Sequence, residues 1–297
     1  MDNQFLTMKK LIILLITLSL FVACKKDKKE PIVEQTETEV KKEPIKMFMF
    51  DGGTVQVNML DIFSQDDAYK GQSKTFADAI YLIQHPDGNL LWDAGLSEDL
   101  LDKEPYTTPE GAFTVSRKKG IEEQLKSIGL STDDVKYIAL SHTHFDHSGS
   151  ASKLPKAIWI VQEDEYNFVT SEEQKKENPA HYDAIKNLKG LKKINGNFDV
   201  FGDGRVVIVS TPGHTPGHQS LFVDLEQEGP LMLTGDVYHM EESRENARVP
   251  KFNFDVEKTL NSMEVFETFA EQKGARVIIQ HSLKDFNSLN HAPEPIQ

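Results

Sequence analysis

"SHTHFDHSG", residues 141 to 149, sets three histidines and an aspartate within six positions, directly behind the apolar run "VKYIAL". Imidazoles and a carboxylate packed this densely read as cation ligands. In an extended loop alternate residues point the same way. His142 and His144 can therefore hold one ion while Asp146 and His147, turned by the following "SGS", face a second. Each half lacks ligands, so the missing groups must come from elsewhere in the chain.

They are found at the ends of other apolar runs. Asp93 follows "LLW", His214 follows "VVIVSTPG", Asp236 follows "LMLTG" and His281 follows "VIIQ". Strand ends gathered at one sheet edge would bring all of them together. His214 and His281 are then the candidates that complete the two halves, and Asp236 could bridge both ions with its two oxygens. His218 competes with His214, and the Pro and Gly residues of "TPGHTPGH" forbid a helix that would align the two, so one is a ligand and the other a supporting hydrogen-bonder; His214 is the preferred ligand and His218 the preferred support. Asp93 reads equally as a capping residue or as the group that orients a ligand histidine. The set predicts a dinuclear site, with zinc first among the ions and Mn, Fe or Co possible.

The rest of the chain fits one α/β domain. Expected strands are 47–50, 54–60, 79–84, 89–93, 135–141, 157–161, 205–210, 219–224, 231–235 and 276–280, with helices at 114–128, 162–169 and 256–273. "MFMF" at 47–50 reads as a core strand. His85, His181 and His291 lie in polar stretches and read as solvated.

Taken together, these residues resemble the metallo-β-lactamase superfamily of hydrolases, over roughly residues 47 to 285. Its HxHxDH motif stands as His142, His144, Asp146 and His147, its later ligands as His214, Asp236 and His281, and its strand-end aspartate as Asp93. The resemblance implies a four-layer αββα sandwich with the metals at one edge between two sheets. "TPGHTPGHQSLF" at 211–222 is most similar to the N-acyl-homoserine lactone lactonases of that superfamily. Those enzymes often carry a tyrosine three residues past the bridging aspartate. Here that position is His239, preceded by Tyr238, so the resemblance implies a substrate contact from one of the two and a proton-accepting role for Asp146.

The implied reaction is ring opening of a small neutral lactone, the cations lowering the pKa of water so that no separate base is needed. A glyoxalase-II-like thioesterase, a phosphotriesterase or a lactamase on the same site is the nearest alternative, and a non-catalytic metal-binding surface lipoprotein is the alternative of another class. Classical zinc β-lactamases of the superfamily usually use a cysteine ligand.

The chain has a single cysteine, Cys24, at the end of the apolar run "LIILLITLSLFVA" (11–23) behind Lys9 and Lys10. That arrangement resembles a bacterial lipoprotein signal, residues 1–24, starting from Met1 or from the better-placed Met8. Residues 25–46 read as a charged, disordered tether and 47–297 as the metallo-hydrolase domain, exported and lipid-anchored on the periplasmic or cell-surface side. The net charge of the chain is −14; residues 1–24 carry two Lys against one Asp and residues 25–46 seven Lys against six acids, leaving the domain near −16. Such a surface disfavours nucleic acid as a partner.

Overall fold

The structure, a computed structural model, describes residues 44–297. The expected signal segment, Cys24 and most of the tether lie outside the described residues. Among the described residues, no helix is long and apolar enough to cross a membrane.

Two sheets face each other. The first comprises β1 (Lys46–Val57), β2 (Lys74–His85), β3 (Gly88–Trp92), β4 (Tyr106–Thr107), β5 (Phe113–Ser116), β6 (Val135–Ala139), β7 (Ile158–Gln162) and β8 (Gly190–Ile194), in the order β4-β5-β1-β2-β3-β6-β7-β8. The second comprises β9 (Phe198–Asp199), β10 (Val206–Ser210), β11 (Gln219–Leu225), β12 (Gly229–Leu233) and β13 (Arg276–Ile278), in the order β13-β12-β11-β10-β9.

Strand alternation explains the layers. On β1, Met47 and Met49 enter the core between the sheets with Tyr81, Trp92, Ile208, Leu221 and Leu233. Phe48 and Phe50 turn the other way and pack with Leu82, Ile121, Leu125 and Val169 under α1 (Ile121–Ser127) and α3 (Glu163–Val169). The outer face of the second sheet packs Val209, Phe222 and Met232 against Met263, Phe266 and Ala270 of α7 (Val256–Lys273). The result is the αββα sandwich, with "MFMF" feeding two cores at once.

Three local expectations need correction. The separate strands expected at 47–50 and 54–60 are one strand, β1, whose register shifts between Asp51 and Gly53 and so keeps pairing with β2 on both sides of the irregularity. The helix expected over 114–128 begins only at Ile121, after Gly120; Phe113–Ser116 instead pairs with β1, placing Val115 opposite Val55 in a buried cluster. His85 is buried rather than solvated, its ring stacked on Phe201 at 4.0 Å. Ile45, two residues before the expected start of the hydrolase domain, is wholly buried in the core between the sheets.

β3 pairs parallel to β6, and β12 parallel to β13, so each pair ends at a common edge. The loops that leave these ends carry Asp93, His142, Asp236 and His281.

Candidate active site

After β6 a loop carries Ser141, His142 and Thr143, and the chain then enters a single helical turn, α2 (Phe145–Ser148), for which His144 is the N-cap residue. The loop brings His142 and His144 together, and the helical turn places Asp146 and His147 in a separate group. Two groups of ligand-type atoms result: His142, His144, His214 and Asp236 in one, Asp146, His147 and His281 in the other, with the ligand atoms of each group within 4.8 Å of one another.

Asp236 stands between the two. Its Oδ1 lies 3.1 Å from both His147 Nε2 and His281 Nε2, while Oδ2 lies 3.3 Å from His214 Nε2 and 3.6 Å from His142 Nε2. Within the first group, His144 Nδ1 is 2.8 Å from His142 Nε2 and 3.1 Å from His214 Nε2; across the second, His147 Nε2 and His281 Nε2 are 3.2 Å apart.

The outer nitrogens decide what the inner ones present. His147 Nδ1 faces Asp93 Oδ2 at 2.9 Å, His281 Nδ1 faces the Ala77 carbonyl at 2.8 Å, and His214 Nδ1 faces Asn253 Oδ1 at 3.2 Å. Each of these acceptors favours a proton on Nδ1 and so leaves an Nε2 lone pair aimed inward. Lone pairs converging at such distances repel unless a proton or a cation lies among them. Asp236 Oδ1 and His239 Nε2 are moreover buried without a satisfactory hydrogen bond. This donor set, all nitrogen and oxygen, fits divalent cations.

Protonation in the bare cluster follows local charge. Burial, aided by the neighbouring imidazoles, holds His142 and His144 well below the ordinary histidine value. Burial opposes charge on His147 and His281 as well, but the carboxylates of Asp236, Asp93 and Asp146 outweigh it at His147, and Asp236 leads in raising His281 to about 9.

Supporting residues explain why the loops hold their places. Asp93, left-handed at φ 62°, accepts from Ser141 N at 2.6 Å with Oδ1 while Oδ2 holds His147. It therefore orients a ligand-type histidine rather than capping a helix. His218 lies outside both ligand groups. Its Nδ1 is 3.0 Å from the Thr211 carbonyl and its Nε2 accepts the Asp236 backbone N–H at 2.8 Å, which fixes the Asp236 turn; burial keeps its pKa down at about 3. Gly235 in that turn has φ 53°, and a Cβ there would sit 2.7 Å from His218 Nε2.

Three supporting residues were not anticipated. Glu165, buried on α3, accepts from Thr143 N at 2.8 Å with one oxygen and from Thr215 Oγ1 at 2.6 Å with the other, joining the two histidine loops. Gln280 donates to Asp93 Oδ2 and accepts from Gly235 N, both at 2.9 Å. Asn253 orients His214. Gln280 had a sequence signal, as the polar residue that ends an apolar run just before His281. Glu165 and Asn253 had none.

A cavity of about 370 Å³ opens over the cluster. Its floor is His144, Asp146, Asp236 and His281, and much of its wall is Val55, Met59, Phe63, Phe113, Phe145 and Phe252. His239 lines it, with Nε2 2.9 Å from Asp236 Oδ2 and its ring 4.9 Å from Phe63. Tyr238 does not: its ring packs on Phe266 beneath α7, 5.8 Å away, because successive residues of this turn face opposite sides. Of the two expected substrate contacts, only His239 is in position. His181, expected to be solvated, also lines the cavity, half-buried beside His144. His291 is exposed, as expected.

The model of the metallo-β-lactamase superfamily matches residues 76–281. The chain belongs to that superfamily. Its curated relatives include the N-acyl homoserine lactonase AttM of Rhizobium radiobacter, 29% identical over 265 residues, which cover 84% of this chain and 98% of the relative. Another, the N-acyl homoserine lactonase AiiA of Bacillus thuringiensis subsp. kurstaki, is 31% identical over 221 residues, covering 73% of this chain and 85% of that protein. Among solved structures, a mutant of B. thuringiensis AiiA with N-decanoyl-L-homoserine bound at its active site superposes with a TM-score of 0.74 at 28% identity, covering 84% of this chain and 98% of that one. An N-acyl homoserine lactone hydrolase with N-hexanoyl-L-homoserine bound at its catalytic metal center gives a TM-score of 0.73, also at 28% identity and with the same coverage.

Proposed function

We propose that this metal-dependent hydrolase opens the lactone ring of N-acyl-homoserine lactones. The observation that carries the reading is the cavity, which joins a polar floor of convergent ligand-type groups to an aromatic and aliphatic wall. A lactone head with an acyl tail has that same division. The names of the relatives, and the N-acyl-homoserine products bound in two of the similar structures, support it.

Two divalent cations, zinc first, held by His142, His144 and His214 and by Asp146, His147 and His281 with Asp236 between, would supply Lewis acidity toward a carbonyl and a lowered pKa for water. The chain's own residues do the rest. Asp93, Asn253 and the Ala77 carbonyl hold the imidazoles in the tautomers that present Nε2. His239 stands beside Asp236, where its ring nitrogen can donate to a carbonyl oxygen as negative charge develops there. Asp146, its side chain 14% exposed in the cavity, is placed to take a proton from the attacking water and return it to the departing ring oxygen. The phenylalanine wall removes the tail from water.

Among the described residues no Lys or Arg lines the cavity, so they offer no fixed cation there for an anionic thioester. A phosphotriester or a lactam is neutral and is separated only by assay. The test is a panel of lactones, thioesters, phosphotriesters and β-lactams, run before and after chelation and after return of Zn or Co. Lactone turnover that is lost with the metal and restored with it supports the reading. Good turnover of another class with none on lactones overturns it.

A further inference from the structure

His181 sits on the short helix α5 (Pro179–Ile185), half-buried, its ring centroid 5.7 Å from that of His144 with the planes 51° apart. It belongs to neither ligand group. Among the described residues neither of its ring nitrogens has a hydrogen-bond partner, although the residue lines the cavity.

The cavity's polar inventory narrows what His181 can serve. His144, Asp146, Asp236 and His281 belong to the ligand groups, and His239 stands against Asp236 at 2.9 Å. Glu110 and His181 are the remaining ionisable side chains in the lining, and ionised Glu110 can only accept hydrogen bonds. His181 can donate.

An N-acyl lactone differs from a plain alkyl lactone by one exocyclic amide, set between ring and chain. With the ring on the floor and the chain along the wall, that amide falls where floor meets wall. The segment His144-Phe145-Asp146 crosses this boundary: Phe145 joins the wall, its ring 5.9 Å from Phe113, while His144 and Asp146 belong to the floor. His181 is packed against His144 at that crossing. His239 occupies the side nearer Phe63 and Phe252, with ring separations of 4.9 and 6.1 Å.

Building on the lactonase reading, we propose that His181 is a specificity residue that donates an N–H to the amide carbonyl of the acyl substrate. It distinguishes N-acyl lactones from lactones lacking the amide. A polar partner of this kind discriminates strongly, because a substrate without the matching group leaves it unpaired.

The experiment compares kcat and KM of the wild type, His181→Phe and His181→Gln on an N-acyl-homoserine lactone and on a γ-alkyl lactone of similar length, with metal content measured for each protein. Phe keeps a ring against His144 but cannot donate. It is expected to raise KM for the acyl substrate about tenfold, the size of one neutral hydrogen bond, and to leave the γ-alkyl lactone unchanged. Gln, which retains a donor, restores part of the loss. Equal losses on both substrates, loss of metal in His181→Phe, or no change in either variant overturns the proposal. A metal-loaded wild type that opens neither lactone overturns the lactonase reading and this proposal with it.

Discussion

Thr215 donates its hydroxyl to Glu165 Oε2 at 2.6 Å, while the other carboxylate oxygen takes the N–H and hydroxyl of Thr143 at 2.8 and 2.7 Å. One buried carboxylate thus sets the spacing between the loop of His142 and His144 and the loop of His214. Gly217 adds an N–H to Oε2, beside Thr215, and a Cβ on Gly217 would strike the Glu165 backbone, so helix and loop are in direct contact. Glu165→Ala strands these donors in a dry site. It is expected to cost about 10- to 100-fold in metal affinity or activity, the usual cost of losing an outer support of a metal site. Glu165→Gln, which keeps an acceptor, should lose less. Full metal content after dialysis, together with an undiminished rate in Glu165→Ala, contradicts this role.

The two histidines of "PGHTPGH" separate by the same measurement. His214→Ala removes a member of the first ligand group and should lower the metal bound per chain. His218→Ala leaves all seven ligand-type residues in place and disturbs only the backbone of Asp236. It should retain most of the metal and lose activity less severely. Elemental analysis giving the opposite ranking would falsify the assignment.

Asp78 lies buried on β2 and accepts from Leu96 N at 2.9 Å. Burial first, and then the Asp146 carboxylate, raise its pKa from 3.8 to about 7. A carboxyl that holds its proton more tightly in the folded state favours folding while protonated. Its contribution is complete below about pH 4, is lost as pH rises to about 7, and stays at that lower level above. In chelated protein the melting temperature of Asp78→Asn relative to wild type should therefore climb between these limits and then level off. A difference that stays constant across the range contradicts the shift.

Anchoring through Cys24 remains a proposal resting on the sequence "FVAC" at 21–24. Cys24→Ser should move the protein from the membrane fraction to the soluble fraction or leave it unprocessed. Unchanged fractionation, with no lipid on the mature N-terminus, removes the proposal.

The site was legible where chemistry and spacing coincide on one loop. His142, His144, Asp146 and His147 lie within five peptide units of one another, so sequence alone implied two facing groups. The gathering of Asp93, His214, Asp236 and His281 was legible too, because a strand end is a position that sequence reveals. Sidedness was not. Tyr238 and His239 are neighbours, and only the packing of Tyr238 under Phe266 shows which of them is turned from the cavity. Long-range supports such as Glu165 were illegible for another reason: a single glutamate on a helix looks like any solvated one until the fold buries it. His85 and His181 misled through polar neighbours in sequence, which say nothing about Phe201 or His144 packed against them. At 113–116, pairing with β1 outweighed the helical pattern that continues from Ile121.

Product identity tests the central claim most directly. Incubation of the metal-loaded protein with an N-acyl-homoserine lactone, followed by mass spectrometry, should show a product heavier by one water that re-closes to the lactone on acidification. That signature belongs to ring opening alone. Free homoserine lactone with a fatty acid would show amide cleavage instead, and either that result or an unchanged substrate contradicts the account.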